Sequence, residues 1–122
     1  MPRFVLLEHD HPILHWDLML EWGDALKTWR LGRIPQEASS IEAAPLPDHR
    51  LAYLDYEGPV SGNRGSVRRI DSGTFLLIES DGESGNGSLT FQLAGQRLQG
   101  QAVITPLDSN DNATTTLHWE PS

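Results

Sequence analysis

The segment from Leu14 to Trp22 alternates with a period of two. Leu14, Trp16, Leu18, Leu20 and Trp22 share one parity, while Ile13, His15, Asp17, Met19 and Glu21 share the other. Successive side chains of a β-strand point to opposite faces, so the first set makes a fully apolar face and the second a more polar one. Gly23-Asp24 then supplies a two-residue hairpin turn. Ala25 to Leu31 returns as the partner strand.

The rest of the chain continues in short strands divided by turn residues. Phe4 to Glu8 is a first strand, ended by Asp10-His11-Pro12, because proline cannot donate to a ladder and restricts the residue before it. Gln36 to Pro47 is rich in Ala, Ser, Glu and Pro and reads as a loop or short helix. Leu51 to Tyr56 fits a strand or a single helical turn. Ser66 to Ile70 and Thr74 to Glu79 read as a hairpin about Asp71-Ser-Gly73. Leu89 to Leu93 and Gln96 to Ile104 read as another about Ala94-Gly95. Asp81 to Gly87 and Ser109 to Asn112 are turn and loop, and Thr114 to Trp119 is a final strand. The expectation is an all-β chain, a compact antiparallel β-barrel of about eight short strands, with residues 1–122 forming one domain.

Composition removes several chemistries. With no cysteine in 122 residues, disulfides, thiolate nucleophiles, iron–sulfur clusters and zinc–thiolate sites are excluded, so a metal here must be held by His, Asp, Glu or backbone oxygen. A net charge of -8 counts against tight nonspecific nucleic-acid binding, which depends on Lys and Arg. The apolar stretch at the N-terminus is too short for a signal peptide, and no run approaches the ~20 apolar residues of a membrane span. Asn86-Gly-Ser and Asn112-Ala-Thr then read as ordinary loop sequence, and the chain is expected to be cytoplasmic, monomeric and without a membrane partner.

Chemistry concentrates near the N-terminus. His9, His11, His15 and Asp17 fall close together, and His15 and Asp17, two apart on a strand, point to one face. A turn at Pro12 would fold the first strand back and bring His9 near His15. Two imidazoles and a carboxylate suit Mn, Fe or Zn and leave positions open for water or substrate. His11, in the turn, has the weakest claim. Further on, His49 and Tyr53 offer an imidazole that can donate a proton and a phenol that can hydrogen-bond a phosphoryl oxygen. Read blandly, Tyr53 is core, His118 structural, Trp16, Trp22 and Trp29 core aromatics, Glu21 a solvated strand residue, and Asp55 and Glu57 surface acids.

Taken together, these segments resemble a known family. They are Phe4-Val-Leu-Leu-Glu-His-Asp10, Leu14-His-Trp-Asp-Leu-Met-Leu-Glu21, Leu26-Lys-Thr-Trp29, Asp48-His49, Leu51-Ala-Tyr53 and Asp55-Tyr-Glu-Gly58, followed by the Gly-rich turn Ser61 to Gly65. They resemble the 3'-phosphoesterase domain found at the N-terminus of bacterial DNA ligase D and as small free-standing proteins. The likeness covers about the first 75 residues well. It implies a β-barrel enzyme that uses manganese (or another divalent metal such as zinc) and trims 3' ends at DNA breaks, removing a terminal ribonucleoside and then the 3'-phosphate. By this resemblance His9, His15 and Asp17 are the metal ligands, His49 and Tyr53 contact the substrate phosphate, and Asp10 is a supporting partner of the first ligand. The implied partners are DNA 3' ends or a small phosphoester, and DNA-repair proteins.

One position departs from the family pattern. An Arg is expected two residues after the ligand Asp, where this chain has Met19. Methionine cannot make the charge-assisted, bidentate contacts of a guanidinium, and losing one such contact commonly costs ~100-fold or more in rate. Arg64 or Arg68 could replace it from another strand. Two other readings stay open: a metal-, nucleotide- or protein-binding module that has lost catalysis, and a non-haem iron oxygenase, whose metal is also held by two His and one carboxylate.

Overall fold

A computed structural model describes residues 1–81, 87–105 and 115–122. The strands are β1 (Arg3–His9), β2 (His15–Trp22), β3 (Ala25–Leu31), β4 (Ser39–His49), β5 (Gly58–Pro59), β6 (Ser66–Ser80), β7 (Leu89–Gly95), β8 (Gln99–Thr105) and β9 (Thr116–Pro121). The one helical element among the described residues is a 3-10 turn, Leu51–Leu54. Every strand pairing is antiparallel, in the order β1-β2-β3-β4-β9-β8-β7-β6. β6 also pairs with β1, so these eight strands close into a ring, and β5 adds to the start of β6. The expected all-β, closed antiparallel architecture is what the chain adopts. No described helix is long and apolar enough to cross a membrane.

Alternation explains where the core sits. One buried cluster takes residues from all eight ring strands, including Phe4 and Leu6, Leu18 and Leu20, Trp29 and Leu31, Phe75, Phe91, Ile104 and Trp119. It fills the interior, and Trp16 and Trp22 pack against it. The opposite parity faces outward, yet part of it is also buried. Val5, Leu7, Met19, Leu26 and Val67 form a second cluster with Leu54 of the 3-10 turn, against which Leu51, Tyr53 and Val60 pack. The segment from Leu51 to Val60 therefore straps across the outside of β1, β2 and β3. The Arg3–Asp55 ion pair at 2.7 Å helps fasten it, and the hydrogen bond from Arg3 holds the Asp55 carboxyl below the usual carboxylate range. A polar-looking strand face is thus closed over, and that closure builds the site.

The hairpin about Gly23-Asp24 forms as expected, with Gly23 at φ 68° and Trp22 opposite Ala25. Three other local readings are corrected. Asp71-Ser-Gly73 is not a turn, since β6 runs straight through it for 15 residues. These residues are there for close contacts instead. A Cβ on Gly73 would lie 2.2 Å from the Ala94 carbonyl oxygen. The Asp71 carboxylate, 3% exposed, accepts the backbone N–H groups of Gln96, Arg97 and Leu98 at 3.0, 3.1 and 2.7 Å. It thereby caps the turn between β7 and β8, which lies at these residues rather than at Ala94-Gly95. The segment Gln36 to Pro47 is mostly strand, as part of β4, despite its prolines. Beyond Ala43, whose N–H still reaches the Thr115 carbonyl, the described residues show β4 pairing with β3 alone, and Pro45 and Pro47 sit in that edge-like half, where a missing N–H is tolerated. Most of Asp81 to Gly87, all of Ser109 to Asn112, and both Asn86 and Asn112 lie outside the described residues.

Removing the Asp71 carboxylate leaves three N–H groups without their charged acceptor. Asp71→Ala is expected to lower stability by about 3 kcal/mol, since hydrogen bonds to charged groups contribute ~1.5–3 kcal/mol each and water recovers part of the loss. Urea unfolding measures this, and an unchanged midpoint would refute the capping role.

Candidate metal centre

The register of β1 and β2 pairs His9 directly with His15, and Leu7 with Asp17. All three polar side chains lie on the outward parity, beneath the strap. Here the structure brings together what the sequence suggested. One nitrogen from each imidazole and one oxygen of Asp17 fall within 4.8 Å of one another. His15 and Asp17 are 5% and 3% exposed, and His9 is half-buried. The loop between β1 and β2 turns through the cis His11–Pro12 peptide and leaves His11 exposed and outside the cluster.

Backbone carbonyls fix the imidazoles. His15 Nδ1 lies 2.8 Å from the Ile13 carbonyl oxygen, and His9 Nε2 lies 2.8 Å from that of Arg64. A carbonyl only accepts, so each of these nitrogens carries the proton and donates it. The remaining nitrogens, His15 Nε2 and His9 Nδ1, both face Asp17. His15 Nε2 is 3.4 Å from Asp17 Oδ1, and His9 Nδ1 is 3.9 Å from Oδ2. His15 Nε2 and Asp17 Oδ1 are buried and have no hydrogen-bond partner among the described residues. Buried polar atoms left facing each other in this way are costly unless a cation or proton lies between them.

A divalent ion would satisfy that arrangement. An ion bonded at about 2.0–2.2 Å holds neighbouring ligand atoms roughly 3–4 Å apart, and a neutral imidazole whose other nitrogen donates to a carbonyl is the usual metal-binding form. Two nitrogens and one carboxylate oxygen suit manganese, iron or zinc. The residues present therefore fit a metal.

Asp10, expected as a supporting partner of the first ligand, meets the neighbouring Gly-rich turn. Its Oδ1 accepts the Ser66 N–H at 2.8 Å and fastens the Gly-rich turn onto the loop between β1 and β2. That turn needs left-handed backbone: Gly62, Asn63 and Gly65 have φ of 77°, 57° and 73°. A Cβ on Gly65 would also lie 2.2 Å from Asp10 Oδ1. The turn in turn delivers the Arg64 carbonyl to His9. Sequence reading missed both orienting carbonyls, because a main-chain acceptor carries no residue signature.

A cleft of about 120 Å³ opens beside the cluster, lined by His9, Asp17, Met19, His49, Tyr53 and Arg64 among others. His49 and Tyr53 stand edge to face with ring centroids 5.7 Å apart, and His49 Nδ1 donates to the Pro47 carbonyl at 2.9 Å, leaving Nε2 for the cleft. Met19 is 1% exposed and belongs to the outer apolar cluster. Three arginines lie near enough to compare. Arg68 is bound to Glu8 at 3.0 Å, on the other face of the β1 wall from His9. Arg30, opposite Asp17 on β3, is exposed and does not line the cleft. Arg64 does line it. Two of its five N–H groups go to Ser61 O and Oγ, at 2.7 and 3.3 Å, and the others remain available.

The other acids and histidine have ordinary partners. Glu21 accepts the Arg3 N–H, Glu57 accepts that of Arg69, and His118 Nδ1 shares a hydrogen bond with the Ser40 hydroxyl.

Comparison with known proteins agrees with this arrangement. The family model described as the DNA Ligase D 3'-phosphoesterase domain matches residues 7–106. The multifunctional non-homologous end joining protein LigD of Pseudomonas aeruginosa is 30% identical over 105 residues, which cover 81% of this chain and 12% of that protein. The multifunctional non-homologous end joining DNA repair protein LigD of Mycobacterium tuberculosis is 30% identical over 106 residues, 83% of this chain and 14% of that protein. The chain thus spans only about an eighth of the length of these relatives. The match extends well past the His9–His15–Asp17 cluster, through the His49–Tyr53 pair and into β8, and on it the chain belongs to the DNA ligase D 3'-phosphoesterase domain family.

Proposed function

We propose that this chain is a metal-dependent phosphoesterase that acts on 3' ends of DNA, removing a 3'-phosphate or a 3'-terminal ribonucleotide. The observation that carries the reading is the pair of buried polar atoms, His15 Nε2 and Asp17 Oδ1, which face one another at 3.4 Å with no hydrogen-bond partner among the described residues. Family membership supports a role in DNA end processing.

In this reading His9 Nδ1, His15 Nε2 and Asp17 hold the metal, with manganese as the expected ion. When bound, a divalent metal supplies Lewis acidity toward a phosphoryl oxygen and makes an attached water more acidic. The protein's own groups do the rest. The Ile13 and Arg64 carbonyls hold the two imidazoles in one tautomer. Tyr53 orients the phosphate from the strap. His49 presents Nε2, which in the imidazolium form would stabilise developing charge or give its proton to the leaving oxygen. Arg64 supplies the guanidinium that Met19 cannot, from a turn whose left-handed residues hold it in place. A bidentate cation thus reaches the phosphate from the β5–β6 side instead of from β2.

A second reading rests on Met19 itself. A buried thioether in place of a phosphate-facing cation would suit a domain that keeps metal binding and loses turnover. It would then act as a metal-, nucleotide- or protein-binding module.

Incubation with Mn2+ and a primer duplex ending in a 3'-phosphate or a 3'-ribonucleotide separates these readings. The enzyme reading expects turnover, reduced at least ~100-fold by His15→Ala, in line with the loss of a group that acts directly on developing charge. No turnover, or turnover indifferent to His15→Ala, would refute it; metal binding without turnover would favour the module. For the relocated cation, Arg64→Ala is expected to cost ~100-fold in kcat. Met19→Arg in that background is expected to restore at least ~10-fold, and an Arg64→Ala rate equal to wild type would rule out the substitution of one arginine for the other.

A further inference from the structure

A second cleft adjoins the first. It measures about 270 Å³ and is lined by Arg50, Tyr53, Tyr56, Pro59, Val60 and Ser61. Tyr53 and Val60 belong to both clefts and form the wall between them. Tyr53 therefore meets His49 on one side and Tyr56 on the other, with Tyr53 and Tyr56 ring centroids 5.9 Å apart at 87°.

The ring of Tyr56 is built into place and left uncovered. Its hydroxyl donates to the Pro59 carbonyl, and it lies over Gly58, where φ is 136° and a Cβ would sit 3.2 Å from the phenol oxygen. Even so, Tyr56 is 38% exposed, the only aromatic among the exposed large hydrophobics of the described residues. Arg50 lines the same cleft, is exposed, and its guanidinium makes no hydrogen bond or ion pair among the described residues. A fixed aromatic face, an apolar floor of Pro59 and Val60, and an available cation are the parts that stack on a nucleobase.

We propose that this cleft is a nucleoside subsite, which seats the terminal base of a DNA strand while the adjoining phosphate enters the metal cleft. The inference rests on the phosphoesterase reading for the neighbouring phosphate. Three features favour a single nucleotide over a longer strand. The cleft falls just below the ~300–1,000 Å³ of ordinary small-molecule sites. It adjoins the proposed phosphate position, separated from it by Tyr53 and Val60. And a chain of net charge -8 cannot rely on nonspecific attraction to the DNA backbone, so recognition has to come from local contacts at the end itself.

Calorimetric titration of the Mn2+-loaded full chain tests this, with 2'-deoxyadenosine 3'-monophosphate, deoxyadenosine and inorganic phosphate as probes. Stacking on an aromatic side chain is expected to make the nucleotide bind about tenfold more tightly than inorganic phosphate. Tyr56→Ala should collapse that ratio to about one, whereas Tyr56→Phe, which keeps the ring, should preserve most of it. Arg50→Ala, at an exposed position, gives a second variant with little risk to folding, and should reduce the ratio severalfold. Equal affinity for nucleotide and phosphate in the wild type, or a ratio unchanged by Tyr56→Ala, overturns the subsite while leaving the phosphoesterase reading intact. If phosphate fails to bind but deoxyadenosine binds in a Tyr56-dependent way, the subsite stands and the phosphoesterase reading falls. If none of the probes binds, both fall.

Discussion

The antiparallel register between β1 and β2 is the constraint on which the site depends. Pairing His9 with His15 and Leu7 with Asp17 sets two imidazoles and a carboxylate on the outer face of the ring. A shift of one residue would exchange the faces of the whole strand and send Leu18 and Leu20 outward. The register is therefore held by the hydrophobic interior, and the donor cluster takes its position from the same alternation that builds the core. Closure of the ring through β1 and β6 leaves this pair of strands no free edge on which to slip.

Placing the cluster on the outside of a closed sheet would ordinarily leave it wet. The strap from Leu51 to Val60 changes that. By burying Met19, Val5, Leu7 and Leu26 against Leu54, it gives the outward face of β1 to β3 its own small core. His15 and Asp17 lie at the edge of that core, where burial strengthens electrostatic interactions and makes an unpartnered lone pair expensive. The same segment carries Tyr53 and Tyr56, and its entry follows His49. One element thus covers His15 and Asp17 and carries the two tyrosines that the proposed function turns toward substrate.

Much of this was legible in the sequence because strand alternation is a strong signal. The β2–β3 hairpin, the outward pairing of His15 with Asp17 and the return of His9 toward His15 follow from parity and the Pro12 turn. What was not legible depended on distant partners. Asp71 and Gly73 have turn chemistry, but they serve a turn that lies on other strands. β4 contains prolines that argue against a strand, yet they fall where pairing is one-sided among the described residues. Arg64 and Arg68 were equivalent candidates in sequence; only the fold shows that Glu8 occupies Arg68 while Arg64 lines the cleft. The carbonyls that orient His9 and His15 belong to the main chain, and no residue pattern announces them.

The central claim is that two imidazole nitrogens and one carboxylate share a single divalent ion. Electron spin-echo spectroscopy of the chain loaded with one equivalent of Mn2+ reads this directly, because ligated nitrogen modulates the manganese echo. The account expects modulation from two imidazoles, falling to one in His9→Ala and, separately, in His15→Ala. Manganese that binds with no nitrogen modulation, or with modulation that neither substitution alters, would contradict it.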